Sequence, residues 1–397
     1  MKTRTLLTAA ALLTPLAATA SPLADARSQG MAGASIAAGD FTQTAVNPAL
    51  LTRFEDNDDF YLQLGVGALA QDYQDVTDDI DEVQDTIDAF DVALDNLDQA
   101  EASRLALLLV DQLEALDQQQ PQGRLGLVLG GYAPSKTFGF GVSLNAYGAV
   151  SGIVNFAESD RQLIEDAVDQ LNQPIPNVDF DEDDLQTNSD LQAAVVTEIA
   201  FAMAREFNLP LLPSLSVGIA PKVQRIDSYY YNANVANFDE DDVTDDANMT
   251  DSTEFNLDIG LQSSYGPFAF ALVGRNLIEQ DLKNIQGDNV TLSPTITAGA
   301  AFQSLGFTAE LDLDLIEDKS FDLFAEPSQW ARLGLEYNLF DTAQARMGYR
   351  TDMASNYNDI FAVGLGLSPG DLVTFDVAAQ FGSDDEVGGQ LQLGVKF

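Results

Sequence analysis

Cysteine and histidine are both absent from this chain of 397 residues. Without them the chain has no thiolate or imidazole ligands for a metal and no Ser-His-Asp or Cys-His catalytic arrangement. An exported protein without disulfides must draw its stability from a large core or from a closed sheet. We assign no catalytic residue, no metal site and no cofactor, and we expect that the protein is not an enzyme.

Basic residues are scarce, because 18 Lys and Arg stand against 63 Asp and Glu, for a formal net charge of −45. A surface of this sign repels nucleic acid, so we expect no nucleic-acid partner. The acidic runs at 179–184 and 239–246 have the composition of calcium loops, but they lack the spaced carboxylates and the glycine of an EF-hand. The preferred interpretation is that both runs are solvated acidic loops.

Long apolar runs are absent after the first 20 residues, so the sequence predicts no membrane-spanning helix. Those first residues have the features of a cleaved signal peptide. Lys2 and Arg4 precede a short apolar run, and Ala18-Thr19-Ala20 supplies small residues for the peptidase. We therefore expect residues 1–20 to be removed during export.

The sequence has instead an alternation of apolar and polar residues with a period of two, which is typical of β-strands. At the end of the chain, Leu391, Leu393, Val395 and Phe397 alternate with polar residues and glycine. About 14 such segments recur, most of them near the roughly 9–11 residues of a tilted membrane strand. They start near residues 59, 124, 138, 192, 214, 253, 267, 292, 305, 330, 343, 359, 371 and 388.

The connections between these segments alternate between tight turns and long acidic loops. The tight turns include Tyr265-Gly266-Pro267 and Ser368-Pro369-Gly370-Asp371, whereas one long loop covers 71–123. Short turns on one rim and long loops on the other are typical of outer-membrane barrels. The sequence thus predicts an all-β fold, a 14-stranded antiparallel transmembrane β-barrel over residues 59–397, closed by the strand that ends at Phe397. A soluble β-sandwich also alternates and is the less favoured alternative.

Two of the long loops contain helical patterns. Apolar residues at three- and four-residue spacing predict helical insertions at about 78–118 and 159–172. Each would lay one apolar stripe on the barrel mouth or on its neighbour. Packing within this cap is favoured over binding of a partner.

The segment before the first strand, residues 21–58, is rich in small residues and lacks strand or helix periodicity. Paired glycines allow close backbone packing, and Asn-Pro favours a turn. We name residues 21–58 the hatch, because a segment of this kind could plug a barrel lumen. Its motif residues are Arg27, Gly30, Met31, Gly33, Asn47, Pro48 and Ala49.

This motif resembles the start of FadL-like outer-membrane barrels, although a glycine of the FadL pattern is replaced here by Ala32. The resemblance implies 14 strands and an N-terminal hatch inside the lumen, and many such barrels carry hydrophobic ligands. The long acidic insertions are most similar to the TraF-like barrel family, whose members are labelled as conjugal-transfer proteins.

Several charged residues lie on the strand faces that we assign to the lumen. A charge in the lumen costs little, whereas a basic side chain facing lipid at mid-depth costs about 2–4 kcal/mol. We prefer a network that holds the hatch, with Arg27 paired to a lumen carboxylate, over a lining for a solute path. The lumen charges are Glu310, Asp312, Asp314, Arg332, Glu336, Arg346, Arg350 and Asp376.

The combined reading is an outer-membrane barrel that passes or binds small solutes, hydrophobic ones among them, with a link to conjugal transfer. The expected partners are outer-membrane lipid, the barrel-assembly machinery through the C-terminal strand, and a small hydrophobic ligand. The alternative is a sealed barrel that acts in envelope assembly or cell contact. Uptake or conductance favours the first hypothesis, and loop-dependent complex formation favours the second.

Overall fold

A computed structural model of the chain describes residues 25–397 except 56, 57, 72, 175, 177, 179, 209–212, 341, 384 and 385. The predicted signal peptide and Asp179 lie outside the described residues. The strands are β1 Tyr61–Gln71, β2 Gln122–Ala133, β3 Gly139–Asn155, β4 Asn188–Phe207, β5 Leu215–Asn234, β6 Met249–Tyr265, β7 Phe268–Arg275, β8 Gln280–Lys283, β9 Asn289–Leu292, β10 Thr295–Ser304, β11 Phe307–Asp314, β12 Trp330–Leu339, β13 Ala343–Asp352, β14 Ile360–Leu367, β15 Val373–Phe381 and β16 Val387–Lys396. The helices are α1 Ala26–Gly30, α2 Tyr73–Asp95, α3 Gln99–Leu116 and α4 Glu158–Leu171.

Fourteen of these strands form one closed antiparallel barrel, in the order β1-β16-β15-β14-β13-β12-β11-β10-β7-β6-β5-β4-β3-β2. Each barrel strand corresponds to one of the segments predicted from the sequence, so the predicted fold class is confirmed. The barrel closes between the first and last strands, where Tyr61 is opposite Lys396. The backbone N–H of Phe397 extends this pairing by donating to the Phe60 carbonyl at 2.8 Å.

The strands have two chemically different faces. In β1, Leu62 and Leu64 are exposed on the outer face, whereas Gln63 between them is 2% exposed. The same alternation in β12 exposes Leu333 and buries Arg332. Because successive side chains point to opposite faces of a sheet, an apolar exterior and a polar interior follow from the period-two pattern.

The two rims also differ. Short connections join β6 to β7, β10 to β11 and β14 to β15, and the long connections on the opposite rim carry α2, α3 and α4. These three helices share an apolar core that includes Phe90, Leu109 and Ile164. None of the described helices is long and apolar enough to cross a membrane.

Two features of the long loops differ from the sequence-based expectation. The first helix begins at Tyr73 rather than near 78, because Val76 is buried on the same face one turn before Ile80. The loop at 278–291 contains a hairpin, β8 and β9, around Gly287 at φ +94°. Short strands in a polar loop carry too few alternating residues to stand out in the sequence.

Candidate functional site

The described part of the hatch contacts the barrel wall on all sides. Helix α1 packs against β13 to β16 and β1, and a 3-10 turn at Pro48–Thr52 packs against β3 to β6. Backbone N–H groups of the segment between them bind carboxylates on β11. Since these strands surround the lumen, residues 25–55 lie inside the barrel.

Glycines on both sides allow α1 to lie directly on the wall. A Cβ on Gly30 would be 3.0 Å from the Gly364 Cα, so the two backbones are in contact. A Cβ on Gly348 would overlap the backbone of Met31. Any side chain at these positions would push the helix away from the wall.

The helix ends in a tight left-handed turn. Ala32 has φ +55° and Gly33 has φ +92°, and the N–H of Gly33 donates to the Ser28 carbonyl at 2.8 Å. A left-handed conformation costs a non-glycine residue about 1–2 kcal/mol. Ala32 stands where the FadL-like pattern has glycine, and its backbone adopts the conformation that glycine favours.

The Asn47-Pro48-Ala49 motif fixes the second half of the hatch. Asn47 is fully buried; its Nδ2 donates to the Ile36 carbonyl at 2.8 Å, and its Oδ1 accepts from the Ala49 N–H at 2.9 Å. Pro48 and Ala49 lie on Gly218 of β5, where a Cβ would overlap their backbone. One amide therefore links two hatch segments at a place where the wall provides no side chain.

An ion-pair network joins α1 to β12. The Arg27 guanidinium donates from Nε and Nη2 to the two carboxylate oxygens of Glu336, both at 2.9 Å. Arg346 donates to the same carboxylate at 2.6 Å and also to Asp376 at 2.5 Å. These four side chains alternate in charge, and each has an opposite charge within hydrogen-bond distance.

Two carboxylates on β11 bind the hatch backbone directly. Asp312 accepts from the N–H groups of Ser35 at 2.9 Å and Ile36 at 3.2 Å. Glu310 accepts from Ala37 at 2.5 Å and from Ala38 at 3.2 Å. Four consecutive backbone donors are thus satisfied by one strand, although this stretch of hatch forms no regular sheet.

Arg332 and Arg350 form no hydrogen bond with the hatch among the described residues. Arg332 forms two bonds with Asp314, at 2.7 and 2.9 Å, and its side chain also lies beside Gly33. Arg350 lies nearer the long-loop rim, where its guanidinium is 4.8 Å from the ring centroid of Trp330. The structure therefore brings seven of the eight predicted lumen charges to the hatch or its ion pairs, and Arg350 is apart from them.

The electrostatics of the hatch follow from burial and from these pairs. Burial raises the pKa of Asp25 to about 6, although the Ser28 N–H bound to its carboxylate acts in the opposite direction. Burial also disfavours the charged form of Arg27, but Glu336, together with Asp40 and Glu310, outweighs burial and holds the pKa of Arg27 above its usual value. Arg27 thus remains a cation, and Asp25 titrates near the acid side of neutrality.

Below the hatch, a polar cavity of about 780 Å³ opens between the short turns. It is lined by the turn at Ser304–Gly306, by hatch residues Asp40 and Arg53, and by Glu336 and Arg346 of the network. Among the residues that the structure describes, no group of acidic side chains is arranged to hold a metal ion. This vestibule leads from the short-turn rim to the Arg27–Glu336 pair.

A second buried cluster, on β4 to β6, was not predicted from the sequence. The Lys222 Nζ is 3.0 Å from Glu198 and 2.9 Å from Asp258, and Lys222 is 3% exposed. The signal was present, because all three residues occupy the inward positions of their strands. Only the register between strands shows that they meet.

Comparisons with known structures show the fold. The monoaromatic hydrocarbon channel CymD matches with a TM-score of 0.52 and 13% identity over 96% of this chain and 99% of that chain. The P. putida toluene transporter TodX matches with a TM-score of 0.51 and 11% identity over 93% of this chain and 97% of that chain. At such identities the likeness extends to the architecture alone.

Sequence comparison gives the family. No curated protein matches the chain significantly. The model of the family described as "F plasmid transfer operon, TraF, protein" matches residues 44–314, which is more than half of the chain. The predicted TraF-like resemblance is confirmed by this match, and the chain belongs to that family.

Proposed function

We propose that this protein is an outer-membrane barrel of the TraF-like, FadL-related kind that binds or passes small solutes, hydrophobic ones among them, through a lumen controlled by the hatch. The likeness in fold to channels named for monoaromatic hydrocarbons and toluene supports a channel rather than an enzyme. The name of the family supports a link to conjugal transfer.

The observation that carries the proposal is how the hatch is held. Ion pairs, hydrogen bonds and glycine-mediated approaches join it to the wall beside small apolar clusters such as Ile36 and Val46 with Val273, and the chain has no cysteine with which to lock it covalently. Polar contacts can be exchanged for water, and the apolar clusters between hatch and wall are small. The hatch is therefore suited to local rearrangement while the 14-stranded wall stays closed.

The outward faces support the location. Exposed Leu64 on β1, Ile199 on β4, Phe270 on β7 and Leu333 on β12 belong to strands distributed around the barrel. Lipid is the solvent in which such a surface is stable, and a closed barrel leaves no unpaired strand edge within it.

Fractionation tests the location. The mature protein should be recovered with the outer membrane, and it should migrate faster in gel electrophoresis when the sample is not boiled. Recovery as a dispersed periplasmic monomer without detergent would contradict the membrane assignment.

Transport is tested in proteoliposomes. Both kinds of vesicle carry lipopolysaccharide in the outer leaflet, because a plain phospholipid bilayer lets toluene through unaided. We expect entry of toluene to be faster than in protein-free vesicles, with arabinose as the polar comparison. Arg27→Gln should increase leakage of arabinose, because it breaks the pair between the hatch and Glu336. Arg104→Gln on the exposed face of α3 is the matched control and should not. Equal entry of toluene with and without the wild-type protein would contradict a channel.

One observation favours the alternative, a sealed barrel acting in envelope assembly or cell contact. Helices α2, α3 and α4 form a cap with its own apolar core on the long-loop rim. If the barrel is sealed, solute entry into vesicles should stay at the protein-free level. Removal of residues 73–116 should then abolish a complex that the intact protein forms in the envelope.

A further inference from the structure

Arg350 is a buried cation of the lumen that forms no ion pair with any carboxylate among the residues that the structure describes. Arg332 and Arg346 each form ion pairs at 2.7 Å or less. Arg350 is 4% exposed, and its one hydrogen-bond acceptor among the described residues is Gln380 Oε1 at 3.3 Å. A buried charge that is not directly paired is expensive, so this position favours an anion in contact with the guanidinium, which the described residues do not provide.

Unused polar groups lie at this arginine. Among the described residues its own Nε–H has no acceptor, and neither has the indole N–H of Trp330, whose ring lies over the guanidinium. Buried polar groups are nearly always satisfied in proteins, so two unused donors at one cation indicate a missing ligand.

The surroundings favour an anion over a neutral molecule. Trp330 covers one face of the guanidinium and itself stacks on Tyr357 with a centroid separation of 6.1 Å. This aromatic cover excludes water from the charge and strengthens its field. Arg124 and Glu386 also act on Arg350 electrostatically, with opposite signs, so their effects oppose each other.

The position is on the solute path of the proposed function. Gln380, which accepts from Arg350, donates to Gln29 of α1 at 2.6 Å. The group therefore lies directly on the long-loop side of the hatch. We define the Arg350 cluster as Trp330, Arg350 and Gln380.

We propose that the Arg350 cluster is a binding site for one small monovalent anion, of the carboxylate or halide class. The anion accepts from the Arg350 Nε–H and from neighbouring donors of the cluster. This inference deepens the proposed function, since it names the chemistry of a solute held above the hatch. Anion binding can be measured without transport, so the anion site and the proposed channel function can fail separately.

The chain provides its own reporter, because Trp330 is the only tryptophan. Purified full-length mature protein, folded in detergent and kept in sulfate buffer, is titrated with potassium chloride, acetate or benzoate at constant ionic strength. We expect a saturable change in tryptophan emission. The salt that saturates first distinguishes a halide site from a carboxylate site. Benzyl alcohol, the neutral analogue of benzoate, should give no saturation.

Quenching gives a second readout. A net charge of −45 should favour approach of caesium over iodide. At the Arg350 cluster we expect the reverse, with stronger quenching of Trp330 by iodide than by caesium.

Variants make the assignment specific. Arg350→Gln should weaken the apparent anion affinity by about tenfold or more, since it removes a charged hydrogen bond, and Arg350→Lys should retain part of it. Arg225→Gln, at an exposed arginine paired with Asp227, is the matched control and should change nothing. If Arg350 variants do not fold, the comparison of iodide with caesium quenching in the wild type still decides the proposal.

The proposal is overturned if no anion gives a saturable change and caesium quenches as well as iodide, which would mean that water alone satisfies these groups. It is also overturned if folded Arg350→Gln titrates like the wild type. A normal anion titration together with no solute entry in proteoliposomes would contradict the channel and leave the anion site standing.

Discussion

The Arg27 guanidinium and the Glu336 carboxylate form a two-bond ion pair, with both N–O distances at 2.9 Å, between the hatch and a wall strand 309 residues away. Both side chains are largely buried, with 11% and 13% exposed. Glu336 also binds Arg346, so removal of Arg27 leaves the carboxylate partly paired. Loss of the hatch half of this pair should therefore release the hatch rather than unfold the barrel.

Replacement of Arg27 by Gln should destabilise hatch docking by about 1.5–3 kcal/mol, because it removes the charged hydrogen bonds to Glu336 while Arg346 still pairs with that carboxylate. Trypsin cleavage after Arg53 in folded protein measures exposure of the hatch, and heat-dependent gel mobility measures whether the barrel is closed. We expect faster cleavage with unchanged mobility. Unchanged cleavage in a folded Arg27→Gln variant would show that the pair does not hold the hatch.

Gly348→Ala tests the close contact between α1 and β13. Its Cβ would overlap the backbone of Met31, so the helix must shift, at a cost of about 1–3 kcal/mol. Gly389→Ala is the matched control, because nothing lies within 4 Å of a Cβ there. Equal trypsin cleavage after Arg53 in both variants would argue against this packing.

Asn47→Ala should cost about 1–3 kcal/mol, because the Ile36 carbonyl and the Ala49 N–H lose their buried partner. Asn96→Ala, which removes an amide from an exposed position, is the matched control and should have little effect. Urea unfolding followed by tryptophan emission gives the difference. If the two variants unfold alike, Asn47 is not a structural link within the hatch.

The acid side of the pH range tests Asp25. The pKa of Asp25 is raised from 3.8 to about 6, so the protonated form of Asp25 stabilises the folded hatch. This stabilisation is fully present below about pH 4 and is lost as the pH rises through 6. The hatch should become more resistant to cleavage as the pH falls from 7 to 5. Asp25→Asn keeps a good N-cap and should remove this dependence. Because the activity of trypsin itself depends on pH, the cleavage rate of the wild type is divided by that of Asp25→Asn at each pH. Cleavage rates that change in parallel for the two proteins would contradict the role of Asp25.

The outer face is tested by charge. Leu333→Arg places a cation on the lipid-facing side of β12 and should lower the stability in lipid by about 2–4 kcal/mol. Leu107→Arg, on the exposed face of α3 in the cap, should be tolerated. Folding yield in vesicles at increasing urea gives the measurement. Equal tolerance at both positions would mean that β12 does not face hydrocarbon.

The sequence by itself determined the barrel. A period of two in residues such as Leu391, Leu393 and Val395 sorts side chains to two faces, and the alternation of short and long connections sorts the two rims. The hatch motif and the lumen charges could be selected from the same pattern. These are local properties of the chain, so they can be read before any pairing is known.

Only the tertiary structure decided which of these residues meet. The pairing of Arg27 with Glu336, the capture of four backbone N–H groups by Asp312 and Glu310, and the meeting of Lys222 with Glu198 and Asp258 all depend on strand register and on the course of an irregular segment. Arg350 carried the same sequence signal as Arg346, yet among the described residues Arg346 forms ion pairs and Arg350 forms none. Periodicity fixes the face on which a side chain lies, and contact across a lumen depends on distances that no local pattern encodes.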